Sequence, residues 1–203
     1  NISNKEWNKK KKFKIVSHHW SDNYMKGLDL YKKLDEIIFS TELGNKIEVT
    51  FIGNFKNKEN FKNINFLEPL SGTELVEKLN NNNAYITGSL NEPSGNHHIE
   101  AAQCGLPILY QNSGGIPEYC NGFGIDYNLD NLENKIYELM ENHDTYLVKM
   151  KDYQLNNNDM FLKYENLITN IKKTKTKRKK SNIVFLFFIY KKLINKIKLK
   201  IFI

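Results

Sequence analysis

The 203-residue chain has only two cysteines, Cys104 and Cys120, and neither belongs to a CxxC pair. That excludes a disulfide framework and a thiolate zinc site, and it fits a reduced, cytoplasmic protein with cysteines as small buried filler. Long apolar runs are also missing. Ile183–Tyr190 is the longest apolar stretch considered, at eight residues, where a membrane-spanning helix needs about 20. No apolar run follows the early lysines, so no signal peptide is read at the start. The chain opens on Asn rather than Met, which leads us to expect a fragment or processed product. Acidic residues stop at Glu165, and the loop 17–27 lacks arginine.

The charge is therefore uneven. The net +7 combines a body at −5 over residues 1–165 with a tail at +12 over residues 166–203. An argument for nucleic acid from basic character would apply to the tail alone, and no aromatic-basic RNA motif accompanies it, so no nucleic-acid partner is expected. Lys172–Lys180 holds seven basic residues in nine, and Lys191–Ile203 alternates Lys with Leu, Ile and Phe. One reading is a peripheral anchor on an anionic membrane surface, on the inner face. The other is a solvated, Lys-rich extension. The surplus of Asn, Lys and Ile, including the Asn run 80–83, reads as codon bias.

Hydrophobic residues make up 40% of the chain, enough for a core. Residues 1–12 read as a linker remnant. Short β-rich runs fall at 13–18, 47–53, 64–67, 84–88 and 107–110. Helical spacing falls at 25–43, with Gly44 as its C-cap, and at 71–79, opened by a Ser71–Glu74 capping box. Further helices are expected at about 95–104, 116–120, 129–140 and 144–170. Five alternations of strand and helix predict a Rossmann-like, doubly wound parallel α/β sheet over residues 13–170, followed by the basic tail from 171. In such sheets ligands bind beyond the carboxyl ends of the strands. The loops 17–25, 53–60, 68–72, 88–95 and 111–117 therefore become the places to look.

The loop after the fourth strand, NEPSGNHHIEAAQCGLP (91–107), carries two glutamates with seven residues between them. Pro93 stiffens the loop and Gly95 permits close approach of a ligand. A helix beginning near Gly95 or Asn96 offers its N-terminal amides and dipole to an anion. Glu92 lies just before that helix and Glu100 more than one turn inside it. Taken alone they are a loop Glu and a helix-face Glu. Together with the anion site they suit a ligand with hydroxyl-rich ends and phosphate between, the shape of a nucleotide-sugar. His18, His19, His97 and His98 invite a metal reading, but adjacent histidines point in different directions and zinc ligands favour wider spacing. No metal site and no cofactor are expected. One of His97 and His98 is expected to face the pocket. Trp20 is read either as a stacking platform for a base or as a cap on the sheet.

The stretch EPSGNHHIEAAQCGLPILYQNSGGIPE (92–118) resembles the signature of family-four glycosyltransferases of the GT-B fold. The matching elements are Glu92, Glu100-Ala101, Gly105-Leu106-Pro107 and Gly114-Gly115-Ile116-Pro117-Glu118. MKGLDLY (25–31) is similar to the family's Lys-Gly element. The resemblance implies the C-terminal, donor-binding half of a retaining enzyme of glycan biosynthesis. Such an enzyme moves a sugar from a UDP-, GDP- or ADP-sugar to a glycan or lipid acceptor, usually without metal. It implies that Glu92 is catalytic, contacting the transferred sugar near its reacting face. Glu100 would hold the ribose hydroxyls and Lys26 the diphosphate. Ser94, Gly95, Asn96 and His97 would form the phosphate or sugar cradle, and Gly114 and Gly115 would line the nucleotide. The family often has Gly-Arg after the first strand. SHHWSDNYMKG (17–27) has none, leaving His18 and His19 as candidate diphosphate contacts. The alternative is a nucleotide-sugar-binding module, or an inactive fragment, that needs a separate acceptor domain.

Overall fold

A computed structural model describes residues 6–21, 23–154, 157–173 and 187–191. The apolar stretch 183–190 and the basic tail lie mostly outside the described residues. By contacts the chain divides into two units, Asn1–Asn157 and Asn158–Ile203.

The first unit is a six-stranded, all-parallel sheet in the order β3-β2-β1-β4-β5-β6. Its strands are β1 (Phe13–His19), β2 (Ile47–Gly53), β3 (Ile64–Leu67), β4 (Ala84–Thr87), β5 (Ile108–Gln111) and β6 (Gly124–Tyr127). This is the order of two mononucleotide-binding halves wound outward from a central switch point. The switch falls between β1 and β4, where the chain reverses its direction across the sheet.

The strands are apolar on both sides because helices cover both faces. On one face Phe13, Ile15, Val49, Phe51, Ala84 and Ile86 meet Leu30, Leu34 and Ile37 of α1 (Leu28–Ser40), Leu43 of α2 (Leu43–Lys46) and Leu132, Ile136 and Leu139 of α6 (Leu132–Glu141). On the other, Val16, Ile52, Tyr85 and Ile108 meet Leu75 and Leu79 of α3 (Gly72–Asn80), Ala101 and Ala102 of α4 (Asn96–Gln103), Ile116 and Cys120 of α5 (Ile116–Cys120) and Met150 of α7 (His143–Met150). The period-2 alternation is visible within β4, where Ala84 and Ile86 join one core and Tyr85 the other. Neither cysteine is in a disulfide; Cys120 is buried, and burial pushes its thiol up to about 12, as befits packing rather than chemistry.

Several expectations are corrected. The helix expected over 25–43 is broken twice. A single 3₁₀ turn, Tyr24–Lys26, ends at Gly27 in the left-handed region, and α1 stops at Thr41 in extended backbone. Gly44 lies inside α2 rather than capping a helix. Ser71 is the N-cap of α3 but makes no side-chain capping bond, so the capping box is not formed. A sixth strand, β6, was not expected. The segment expected as one helix over 144–170 is α7 and then α8 (Asn157–Lys173). In α8, Phe161, Tyr164, Leu167 and Ile171 recur at helical spacing and are exposed. Residues 187–191 are helical. Among the described residues no helix is long and apolar enough to cross a membrane.

Candidate functional site

The switch point places the ends of β1 and β4 side by side, and the residues singled out in the sequence gather there. Their backbones are tied together first. Gly27, at φ +102°, packs directly on Gly88, and a Cβ at residue 27 would lie 2.7 Å from the Gly88 Cα. Beside this contact Leu90 N donates to the Met25 carbonyl at 2.8 Å. The Lys-Gly turn after β1 and the loop after β4 are therefore one structural piece, which aims Lys26 at Glu92. Their side chains form an ion pair, with Glu92 almost wholly shielded and Lys26 about one-third exposed.

The Gly-Gly loop completes the support from the other side. Gly115 N donates to the Glu92 carbonyl at 2.8 Å, and Asn91 N donates to Ser113 Oγ at 2.8 Å. Gly114 sits at φ +61°, and a Cβ there would lie 2.6 Å from the Glu92 carbonyl oxygen. Both glycines thus press on the backbone of the Glu92 loop. Their visible work is to let two loops touch, in addition to any place beside a nucleotide.

Helix α4 starts at Asn96, with Gly95 as an N-cap that brings no side-chain acceptor, and its first turn contains no acidic residue. Its positive end is thus left to an outside anion. Gly95 is required by crowding, since a Cβ there would lie 2.7 Å from the His97 ring and 2.9 Å from Glu92 Cγ. Ser94 is exposed, and its hydroxyl lies 3.3 Å from that of Tyr119. Asn96 is exposed on the first turn of α4.

The histidines are turned inward. His97 and His98 are both buried, contrary to the expectation that one faces the pocket. His97 Nε2 is hydrogen-bonded to Thr87 Oγ1 at 2.9 Å, and His98 packs its ring against Tyr119. His19 is packed against His97, with ring centroids 4.5 Å apart, and against Phe51. Burial lowers His97 well below the ordinary imidazole range, His98 to about 4 and His19 to about 3, so all three are neutral near pH 7. A neutral, buried ring does not supply the positive charge that an arginine would. His19 is therefore a support beneath the site rather than a displayed diphosphate contact. His18 is buried as well, and its Nε2 lies 2.9 Å from Glu100 Oε2. No group of three or more metal-ligating side chains is assembled among the described residues.

Glu100 projects from α4 with about half of its side chain exposed, and the hydrogen bond from His18 lowers its pKa. The result is one face bearing an ammonium, a shielded carboxylate, an open helix N-terminus and a second carboxylate held as an acceptor. Trp20 follows β1 and is 65% exposed, so it does not cap the sheet. Tyr85, Thr87, Ser113 and Tyr119 also build the site, and they carried no signal beyond strand parity. Tyr85 and Thr87 share the face of β4 that looks towards α4.

The profile of the family described as Glycosyl transferases group 1 matches residues 2–158. The chain belongs to that family. No curated protein matches the sequence. Among solved structures it is similar to TarM, at 18% identity over 77% of this chain and 35% of that one, with a TM-score of 0.58. It is also similar to sucrose-phosphate synthase from Thermosynechococcus elongatus, at 15% identity over 81% and 46%, with a TM-score of 0.61. A third is the pneumococcal O-GlcNAc transferase GtfA, solved with UDP and GlcNAc, at 14% over 80% and 37%, with a TM-score of 0.57. At these identities the likeness establishes the Rossmann-like fold of GT-B glycosyltransferases. The chain spans less than half the length of each of these structures.

Proposed function

We propose that this chain is the donor-binding, C-terminal half of a family-four, retaining glycosyltransferase, and that it binds a nucleotide diphosphate sugar at the β1–β4 switch point. The observation that carries the reading is the convergence there of Lys26, Glu92, Glu100 and the α4 N-terminus. Glu100 takes the ribose hydroxyls, for which a carboxylate is a bidentate acceptor. The diphosphate lies over the first turn of α4, Gly95–His97, where backbone amides and the helix dipole meet it. Lys26 exchanges its bond to Glu92 for one to the diphosphate and stabilises the charge that develops on the leaving group. Glu92, released, contacts the sugar near its reacting face. Positive charge thus comes from an ammonium and amides, and the reaction runs without metal. His18 and His19 do not take the place of the family's arginine, so Lys26 carries a larger share of the charge.

On this reading turnover requires an acceptor-binding domain as well as the donor site. The acceptor is a glycan or lipid. The GtfA structure with UDP and GlcNAc supports a nucleotide-sugar donor class. A thermal-shift screen of UDP-, GDP- and ADP-sugars tests the reading. One of them at about 100 times its Kd is expected to raise Tm by about 5–10 °C. No shift with any of the three would remove the donor site.

The basic tail suits an anionic membrane surface, with each Lys or Arg near such a surface worth about 1 kcal/mol. On this proposal the protein is cytoplasmic and peripheral to the inner membrane face. Deleting 172–203 is expected to abolish co-sedimentation with phosphatidylserine vesicles and to leave the nucleotide-induced shift intact. A full-length chain that ignores such vesicles would contradict the anchor.

A further inference from the structure

We infer that His18 is a positioning residue for the nucleoside: it holds the Glu100 carboxylate in the orientation that selects a ribose over a 2′-deoxyribose. The inference rests on the donor reading of Glu100 given above.

His18 is unusually well fixed. Its backbone N–H donates to the Tyr85 hydroxyl at 3.2 Å, and that hydroxyl donates back to the His18 carbonyl at 3.2 Å. Its ring stands edge-on to Tyr85, with centroids 5.4 Å apart, and edge-on to His97 at 6.4 Å. The imidazole is therefore set from the backbone outward by β1, β4 and α4 together. Among the described residues the ring's one hydrogen-bond partner is Glu100: Nε2 lies 2.9 Å from Glu100 Oε2, while Nδ1 is buried with none. An ionised carboxylate only accepts, so the bond to Glu100 needs a proton on His18 Nε2.

Glu100 is the opposite kind of residue. Its side chain is half exposed and sits on the surface of a helix. A free glutamate there samples several rotamers, and ordering it on binding costs affinity. The buried His18 removes that freedom by fixing one oxygen. The carboxylate keeps its remaining lone pairs turned outward and stays an acceptor. An acceptor-only group held in place rewards a ligand that presents two hydroxyl donors, and one that lacks a hydroxyl leaves it partly unpaired. The selectivity for ribose is thus set by a histidine that does not touch the ligand.

The test uses the full chain and UDP, GDP and ADP, taking whichever binds, each against its 2′-deoxy counterpart by calorimetry. The wild-type chain is expected to prefer the ribonucleotide by at least about 10-fold, and Glu100→Ala to show no preference. His18→Ala is expected to reduce the preference to about 2-fold. His18→Gln, whose amide nitrogen reaches the Nε2 position, is expected to restore most of it. A wild-type ratio in His18→Ala alongside its loss in Glu100→Ala overturns the inference and leaves the donor reading standing. A wild-type ratio in Glu100→Ala overturns both. A measurement that needs no His18 variant is the ¹⁵N spectrum of the imidazoles in the intact chain. It is expected to show His18 protonated at Nε2, with that signal moving in Glu100→Ala. Protonation at Nδ1 instead overturns the inference.

Discussion

Lowering the pH from 7 to 5 is expected to remove at least about 4 kcal/mol of the stability of the sheet domain. His19, His97 and His98 are buried together beneath the site, and burial depresses all three, to about 3, well below the ordinary range, and to about 4. The charges facing them sharpen this. His18 disfavours protons on His19 and His97, and Lys26 disfavours them on all three, while Glu92 partly offsets the effect at His98. In the unfolded chain each takes up its proton near 6.5. Stability is therefore fully present above about pH 6.5 and is lost as the pH falls towards the folded values. His19 and His98 each account for about 2 kcal/mol between 6.5 and 5, and His97 adds in the same direction. Together they remove a large part of the roughly 5–15 kcal/mol that a domain has. Glu100, whose pKa is lowered by His18, works in the same direction at lower pH. Urea midpoints followed by far-ultraviolet circular dichroism at pH 7, 6 and 5 measure the effect. A midpoint unchanged across that range would mean that the histidines are not buried neutral.

The second large effect is expected at Gly27. Its φ of +102° is closed to a β-branched residue, and a Cβ would stand 2.7 Å from the Gly88 Cα, a backbone atom that cannot turn away. The left-handed conformation costs about 1–2 kcal/mol and the overpacking about 1–3 more. Gly27→Val is thus expected to lose roughly 2–5 kcal/mol, lowering the urea midpoint by about 2 M. It should also damage the site, because the Gly27–Gly88 contact is what aims Lys26 at Glu92. Gly122, with φ +85° and no described atom within 4 Å of a Cβ built there, is the control for conformation alone. If Gly27→Val and Gly122→Val cost the same, backbone crowding at the switch point is not what holds the two loops.

Much of the sheet was legible because its strands are dense in β-branched and aromatic residues. IEVTFIG and INFL became β2 and β3 with the expected bounds, and IPEYC became α5. GIDY carries a weak strand signal, because two of its four residues, Gly124 and Asp126, disfavour strands. Only the pairing with β5, which places Ile125 and Tyr127 inward, makes it one. The order of the site's elements was also legible, as four motifs along the chain. Their pairing was not. Lys26 and Glu92 lie 66 residues apart and meet only because β1 and β4 are neighbours. The histidines looked like displayed polar groups, and their burial follows from strand parity and from α4 lying over the sheet. The Gly-Gly loop looked like a nucleotide contact, and its closest partner turned out to be the backbone of Glu92.

The central claim is that Glu100 holds the nucleoside of a nucleotide diphosphate at this switch point. Calorimetric titration of wild type and Glu100→Ala with the preferred nucleoside diphosphate tests it most directly. The variant is expected to bind at least about 30-fold more weakly, as the loss of two hydrogen bonds to a charged acceptor implies, while its unliganded Tm falls by a few degrees because the buried His18 Nε2–H loses its carboxylate. Equal affinity in the two proteins would contradict it.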